Sequence, residues 1–150
     1  MLKKAFLISA TAAFVFSGCG SDNSTSASDS GVLSCSANAI SNDTFIMEVV
    51  TEDVTLTTTT TIAGNLANIE YDISYAPEVS AAYVQQVCKE NKQEYQEKNA
   101  QIICGDHSIN IKEVAPADIS FEQALESAKK ECREAQKRMS GSYSLRGLYA

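Results

Sequence analysis

Five cysteines, one histidine and nineteen acidic residues are the side chains of this 150-residue chain best suited to chemistry. The cysteines stand at 19, 35, 88, 104 and 132. None falls in a C-x-x-C pair, so zinc-site, thioredoxin-like and haem-attachment readings lose their motif. His107 sits between Asp106 and Ser108. Those are the residue types of a hydrolytic triad, but neighbours in sequence point apart, and a triad needs each group within hydrogen-bond reach of the next. The stretch reads as a polar turn. No H-E-x-x-H pair and no glycine-rich phosphate loop occurs. Acids at Glu90, Glu94, Glu97, Glu122, Glu126 and Glu131 alternate with lysines and arginines, as on a solvated helix face. The expectation is a protein without metal or cofactor and not an enzyme. A hydrolase working with two acids is the remaining enzymatic alternative, because carboxylate separation is invisible in a sequence.

Cys19 has a different context from the other four. Lys3 and Lys4 precede an apolar run, Ala5 to Phe16, and Phe16-Ser17-Gly18 leads directly into the cysteine. Twelve residues reach about 18 Å as a helix, too short for a hydrocarbon core of roughly 30 Å. A basic start, a short apolar core and small residues mark an export signal. Small residues followed by cysteine resemble the lipobox of bacterial lipoproteins. That resemblance implies cleavage after Gly18, a diacylglycerol and fatty acyl chain such as palmitate on Cys19, and residence in the cell envelope. With Gly20 rather than aspartate after the cysteine, it further implies the outer membrane, facing the periplasm or the cell surface. Residues 20–31 hold nothing apolar larger than alanine. They read as a flexible tether with a reach of about 20 Å. The organisation expected is therefore a signal peptide over 1–18, lipidated cysteine and tether over 19–31, and one domain over 32–150.

An exported chain with four further cysteines implies two disulfides. Three connectivities are possible. Geometry favours Cys88–Cys104 with Cys35–Cys132. Cys88 lies about ten residues before the end of a predicted helix and Cys104 about five residues into the strand that returns. Both distances come to roughly 15 Å, so a helix folded back on that strand brings them level.

The elements around these cysteines follow from periodicity. Residues 44–50 and 54–62 are β-branched or apolar. In 66–75, Ile69, Tyr71, Ile73 and Tyr75 alternate with Asn68, Glu70, Asp72 and Ser74. A helix is expected from Pro77 to about Glu97, with Val84, Val87, Cys88 and Tyr95 on one stripe. Strands follow at 100–104 and 108–114. A last helix opens on Ser120 and Gln123, which fit a capping box. Phe121, Leu125, Ala128, Cys132, Ala135 and Met139 form its apolar face. The tail from Ser140, with Tyr143, Leu145, Leu148 and Tyr149, reads as an edge strand or docked coil, with a loose partner-binding peptide as the alternative. The order β-β-β-α-β-β-α predicts an α+β two-layer sandwich: an antiparallel sheet with both helices on one face and two disulfides.

Charge narrows the partner. The chain carries −7, and loss of residues 1–18 removes Lys3 and Lys4 and no acid, taking it to −9. Such a body disfavours nucleic acid and anionic headgroups. Its expected contacts are the membrane, through the lipid alone, and an envelope protein of basic character. The least ordinary surface is the outward face of the strand meander: Thr55, Thr57, Thr59 and Thr61 beside Glu70 and Asp72. It reads as a docking surface for a protein or a sugar polymer. The functional expectation is a non-enzymatic, membrane-anchored envelope lipoprotein with a protein-binding or assembly role. An alternative is inhibition of a basic secreted cell-wall hydrolase. Ser140-Gly141-Ser142-Tyr143 resembles, one residue short, a Ser-Gly-x-x-Tyr element of one lysozyme-inhibitor family.

Overall fold

Period-two alternation builds the sheet. The computed structural model describes residues 31–146, with side chains through Lys137. The segments expected to be a signal peptide (1–18) and a lipidated tether (19–31) lie, but for residue 31, outside the described residues. Strand β4 (Leu66–Tyr75) buries Ala67, Ile69, Tyr71 and Ile73 and turns Asn68, Asp72 and Ser74 to solvent. Its hairpin partner β3 (Val54–Ala63) sets Leu56, Thr58 and Thr60 opposite Ile73, Tyr71 and Ile69. Thr58 and Thr60 are thereby buried, while the other four threonines of the strand face outward. The loop is only Gly64-Asn65, and Gly64 takes φ +62°, as a II′ hairpin turn requires at its first central residue.

On the other side of β3 lie β2 (Thr44–Thr51) and, at the edge, β1 (Val32–Ala39). Beyond β4 come β6 (Ser108–Pro116) and then the short β5 (Gln101–Cys104) at the opposite edge. All neighbouring pairs are antiparallel. The expected α+β sandwich is thus present, enlarged by one strand at its start. β1 carries its inward alternation on small residues, Cys35 and Ala37, with Ser34, Ser36 and Asn38 outward. Serine, alanine and asparagine are weak strand formers, so the pattern is easily passed over.

Two helices cover one face of this sheet. Pro77 lies in a turn closed by Val79 N–H donating to Ala76 C=O, not in a helix. Helix α1 (Ala81–Glu94) starts at Ser80, whose hydroxyl accepts from Tyr83 N–H. It ends in a 3-10 turn (Gln96–Lys98) and a left-handed Asn99. Helix α2 (Phe121–Arg146) opens on the expected capping box. Ser120 Oγ accepts from Gln123 N–H at 3.2 Å, and Gln123 Oε1 from Ser120 N–H at 3.1 Å. The backbone stays helical through Ser140-Gly141-Ser142, so residues 140–146 form neither strand nor coil. Propagation adds a hydrogen bond per residue, and one glycine costs only about 1 kcal/mol.

The core falls into two halves. Leu56, Ile69, Tyr71, Ile73, Ile109 and Ile111 pack under Val84 and Cys88 of α1 and Tyr95 at its C-cap. Val32, Cys35, Ala37, Phe45 and Met47 pack under Ala124, Leu125, Ala128 and Cys132 of α2. Val49 and Ile62 touch both halves. Each half holds one disulfide. Cys88–Cys104 joins α1 to β5 and Cys35–Cys132 joins α2 to β1, with Cα separations of 6.1 and 5.1 Å.

Asn91 is the exception in the α1 core stripe. It is 1% exposed; its amide nitrogen donates to Val87 C=O, and its Oδ1 has no partner. An unmet buried carbonyl costs about 1–3 kcal/mol. Asn91→Leu is therefore expected to raise the urea midpoint by an amount equivalent to about 1 kcal/mol, whereas a lowered midpoint would mean that Oδ1 is satisfied in solution.

Candidate functional site: the uncovered sheet face

Register places the outward side chains in rows. One row runs Asn38, Ile46, Thr59, Glu70, Lys112, Gln101; the next runs Ser36, Glu48, Thr57, Asp72, Asn110, Ile103. Thr55, Thr57, Thr59 and Thr61 do form a column on this face, and Glu70 and Asp72 do stand beside it. Asn110, Lys112 and Glu48, not singled out in the sequence, complete the surface. Only strand register reveals Asn110 and Lys112 as neighbours of Asp72 and Glu70, since β6 follows β4 after more than thirty intervening residues.

Hydrogen-bond phase explains why the β4–β6 side chains meet. Ala117 N–H donates to Asn65 C=O and Tyr75 N–H to His107 C=O, so the odd-numbered residues exchange the ladder bonds of this pair. Glu70 with Lys112 and Asp72 with Asn110 are then the non-hydrogen-bonded pairs, in which side chains come closest. Lys112 Nζ lies 3.1 Å from Glu70 Oε1. Asn110 Nδ2 donates to the same oxygen at 2.9 Å and also to Asp72 Oδ1. The Asn110 hydrogen bond, and then the Lys112 ammonium, hold the Glu70 carboxyl below its ordinary value of 4.5. Thr44 and Thr61 share a hydroxyl hydrogen bond of 2.9 Å at the margin.

By register this face carries Glu48, Glu70 and Asp72 against a single cation, Lys112. Apolar residues rim it. Leu66, Ile103 and Val114 are exposed on it, and Ile40 is exposed in the β1–β2 turn. None of its strand positions carries an aromatic ring, so it offers no stacking platform for a sugar. Near β5 it dips into an open hollow of about 560 Å³, bordered by Thr59, Glu70, Lys98, Gln101, Lys112 and Val114.

Under the other face of β6, Tyr71 donates its hydroxyl to Glu113 at 2.8 Å. Tyr95, 2% exposed, has its phenol pushed up by burial and then by the charges of Glu113 and Glu94. Lys98 rests 4.6 Å from the Tyr95 ring centre. This cluster secures the end of α1 to the sheet.

The tempting Asp106-His107-Ser108 run turns the chain from β5 into β6, where Gly105 N–H meets Ser108 C=O. Among the described residues no three histidine, cysteine, aspartate or glutamate side chains are grouped to hold a metal. Nor is any described helix long and apolar enough to cross a membrane. No protein-family model, curated protein or solved structure matches the chain.

The Glu70 network yields a signed pH expectation. A depressed carboxyl stabilises the fold above the ordinary glutamate range, and that contribution fades as pH falls through the folded-state value. In Asn110→Ala, carboxyl-detected NMR should find Glu70 titrating closer to 4.5 than in the parent. An unmoved titration would deny the amide its leading role.

Proposed function

We propose that this chain is a lipid-anchored, non-enzymatic envelope protein whose uncovered sheet face docks a basic protein partner. One observation carries the reading. Six strands present a polar, acid-rich face with no layer over it among the described residues, while both helices and both disulfides lie on the opposite side. Such faces are common when merely solvated. This one also carries Glu48, Glu70 and Asp72 on its strands against one strand-borne cation, Lys112, and borders them with exposed Leu66, Ile103 and Val114. Charge complementarity selects a basic partner and speeds its encounter.

The anchor belongs to the same proposal. The lipobox-like Phe16-Ser17-Gly18-Cys19 supports a cleaved signal and an acylated Cys19. Two or more acyl chains hold a protein to a bilayer without help from its folded part. The tether of residues 20–31 then leaves the sheet face free to meet partners within about 20 Å of the membrane. Outer-membrane residence rests on the residue after the cysteine, Gly20.

A protein surface suits the face better than a sugar polymer, given the missing aromatic rings. It also lacks the tyrosine, tryptophan and arginine anchors of tight interfaces. The affinity expected is therefore moderate, sensitive to salt, and carried by rows of hydroxyl and amide contacts. A cationic cell-wall hydrolase is one partner of the required charge, and its capture would make the protein an inhibitor.

Site-specific photocrosslinking in intact envelopes tests the reading. A crosslinking side chain at Thr57 should give a reproducible adduct with a basic protein, weakened at high salt, and one at Glu126 on α2 should not. Equal adducts from both positions, or none from Thr57, would count decisively against the docking face.

A further inference from the structure

The edge of β6 is longer than the strand that covers it. Register pairs Gln101, the first residue of β5, with Lys112, whereas β6 continues to Pro116. Just before β5, Asn99 adopts a left-handed conformation (φ +50°) and takes the chain off the strand line. No strand among the described residues pairs with the remainder of that edge.

Ladder phase shows which backbone groups are left there. Gly105 N–H donates to Ser108 C=O, so even-numbered residues of β6 bond towards β5 and odd-numbered ones towards β4. The N–H and C=O of Val114 and the C=O of Pro116 therefore point outward from the uncovered end. Proline stands where its missing N–H would have been another outward donor, the usual place for proline in a sheet. Val114 is 58% exposed. The hollow of about 560 Å³ lies at this step and takes lining from both faces of β6: Lys112 and Val114 above, Glu113 below.

We infer that this overhang is a strand-addition site, taking an extended segment of the partner in line with β5. The inference rests on the docking reading above and specifies the bound segment. Backbone pairing with Val114 supplies affinity, and alternate side chains supply selectivity. On the outer face the added strand would lie beside exposed Val114, which favours an apolar residue. On the helix side it would lie beside the Glu113 carboxylate, already accepting from Tyr71, which favours lysine or arginine. The occupant is thus an extended protein segment alternating apolar and basic residues. Such a strand complements a chain of net charge −7.

The test uses the full chain in detergent micelles and a blocked seven-residue peptide alternating lysine and valine between terminal threonines. At saturating peptide, hydrogen exchange of the Val114 amide should slow by about tenfold or more. A peptide methylated on alternate backbone nitrogens should not slow it, and glutamate in place of lysine should abolish binding. Val114→Pro removes the outward donor without costing a β4 ladder bond, and should weaken the parent peptide about tenfold. The methylated peptide keeps the proposal exposed to refutation even if that variant folds poorly. Unchanged Val114 exchange, or equal binding of the methylated or glutamate peptide, would overturn the assignment. Adducts from Thr57 alongside unprotected Val114 would refute strand addition and leave the docking face standing, whereas loss of the Thr57 adducts would remove the reading beneath it.

Discussion

Two covalent clamps organise this molecule. Each disulfide ties one helix to one edge strand: α1 to β5 through Cys88–Cys104, and α2 to β1 through Cys35–Cys132. Edge strands are where a sheet frays and where stray pairing begins. Here both are held from the same side. At β1 the clamp is reinforced by Gln136, whose amide donates to Cys35 C=O at 2.9 Å, so the helix also occupies a backbone acceptor of that strand. In the chain-entropy account a bridge across 97 residues restricts the unfolded chain by about 4–5 kcal/mol and one across 16 residues by about 3 kcal/mol. Those contributions are comparable with the whole net stability of a small domain.

The uncovered face is the other consequence of this arrangement. With both helices fixed on one side, the opposite side of six strands must satisfy itself with water or with a partner. The chain meets that requirement with threonine, serine and asparagine, which suit a pleated surface and hydrogen-bond freely. The core beneath is not one block. Buried Thr58 and Thr60 lie on the middle strand, between the apolar cluster under α1 and the one under α2. The sheet therefore acts as a common floor for two helix-capped halves, and its outer surface spans both.

Much of the fold was legible in the sequence. The alternation of Ile69, Tyr71 and Ile73, the Ser120–Gln123 box and the level placement of Cys88 and Cys104 each reflect short-range geometry. β1 escaped because, after Val32, its inward residues Cys35 and Ala37 are small. Asn91 escaped because a polar residue on an apolar stripe looks like its boundary. The last helix outran its expected end because serine and glycine weaken a helix without forbidding it. The site was legible only by halves. The threonine column and Glu70 with Asp72 follow from strand parity, but Asn110, Lys112 and the free edge at Val114 depend on which strand lies beside β4, and no local pattern encodes that.

The clamps themselves are the most direct point of attack. Backbone hydrogen exchange should be followed residue by residue in the full chain, before and after mild reduction. Reduction should strip protection first from β1 and β5, while the amides of β3 and β4 retain theirs until the whole domain unfolds. If protection instead fell evenly across all six strands, or the edges kept theirs with the thiols free, the helices would be held by packing alone and the account of the clamps would be wrong.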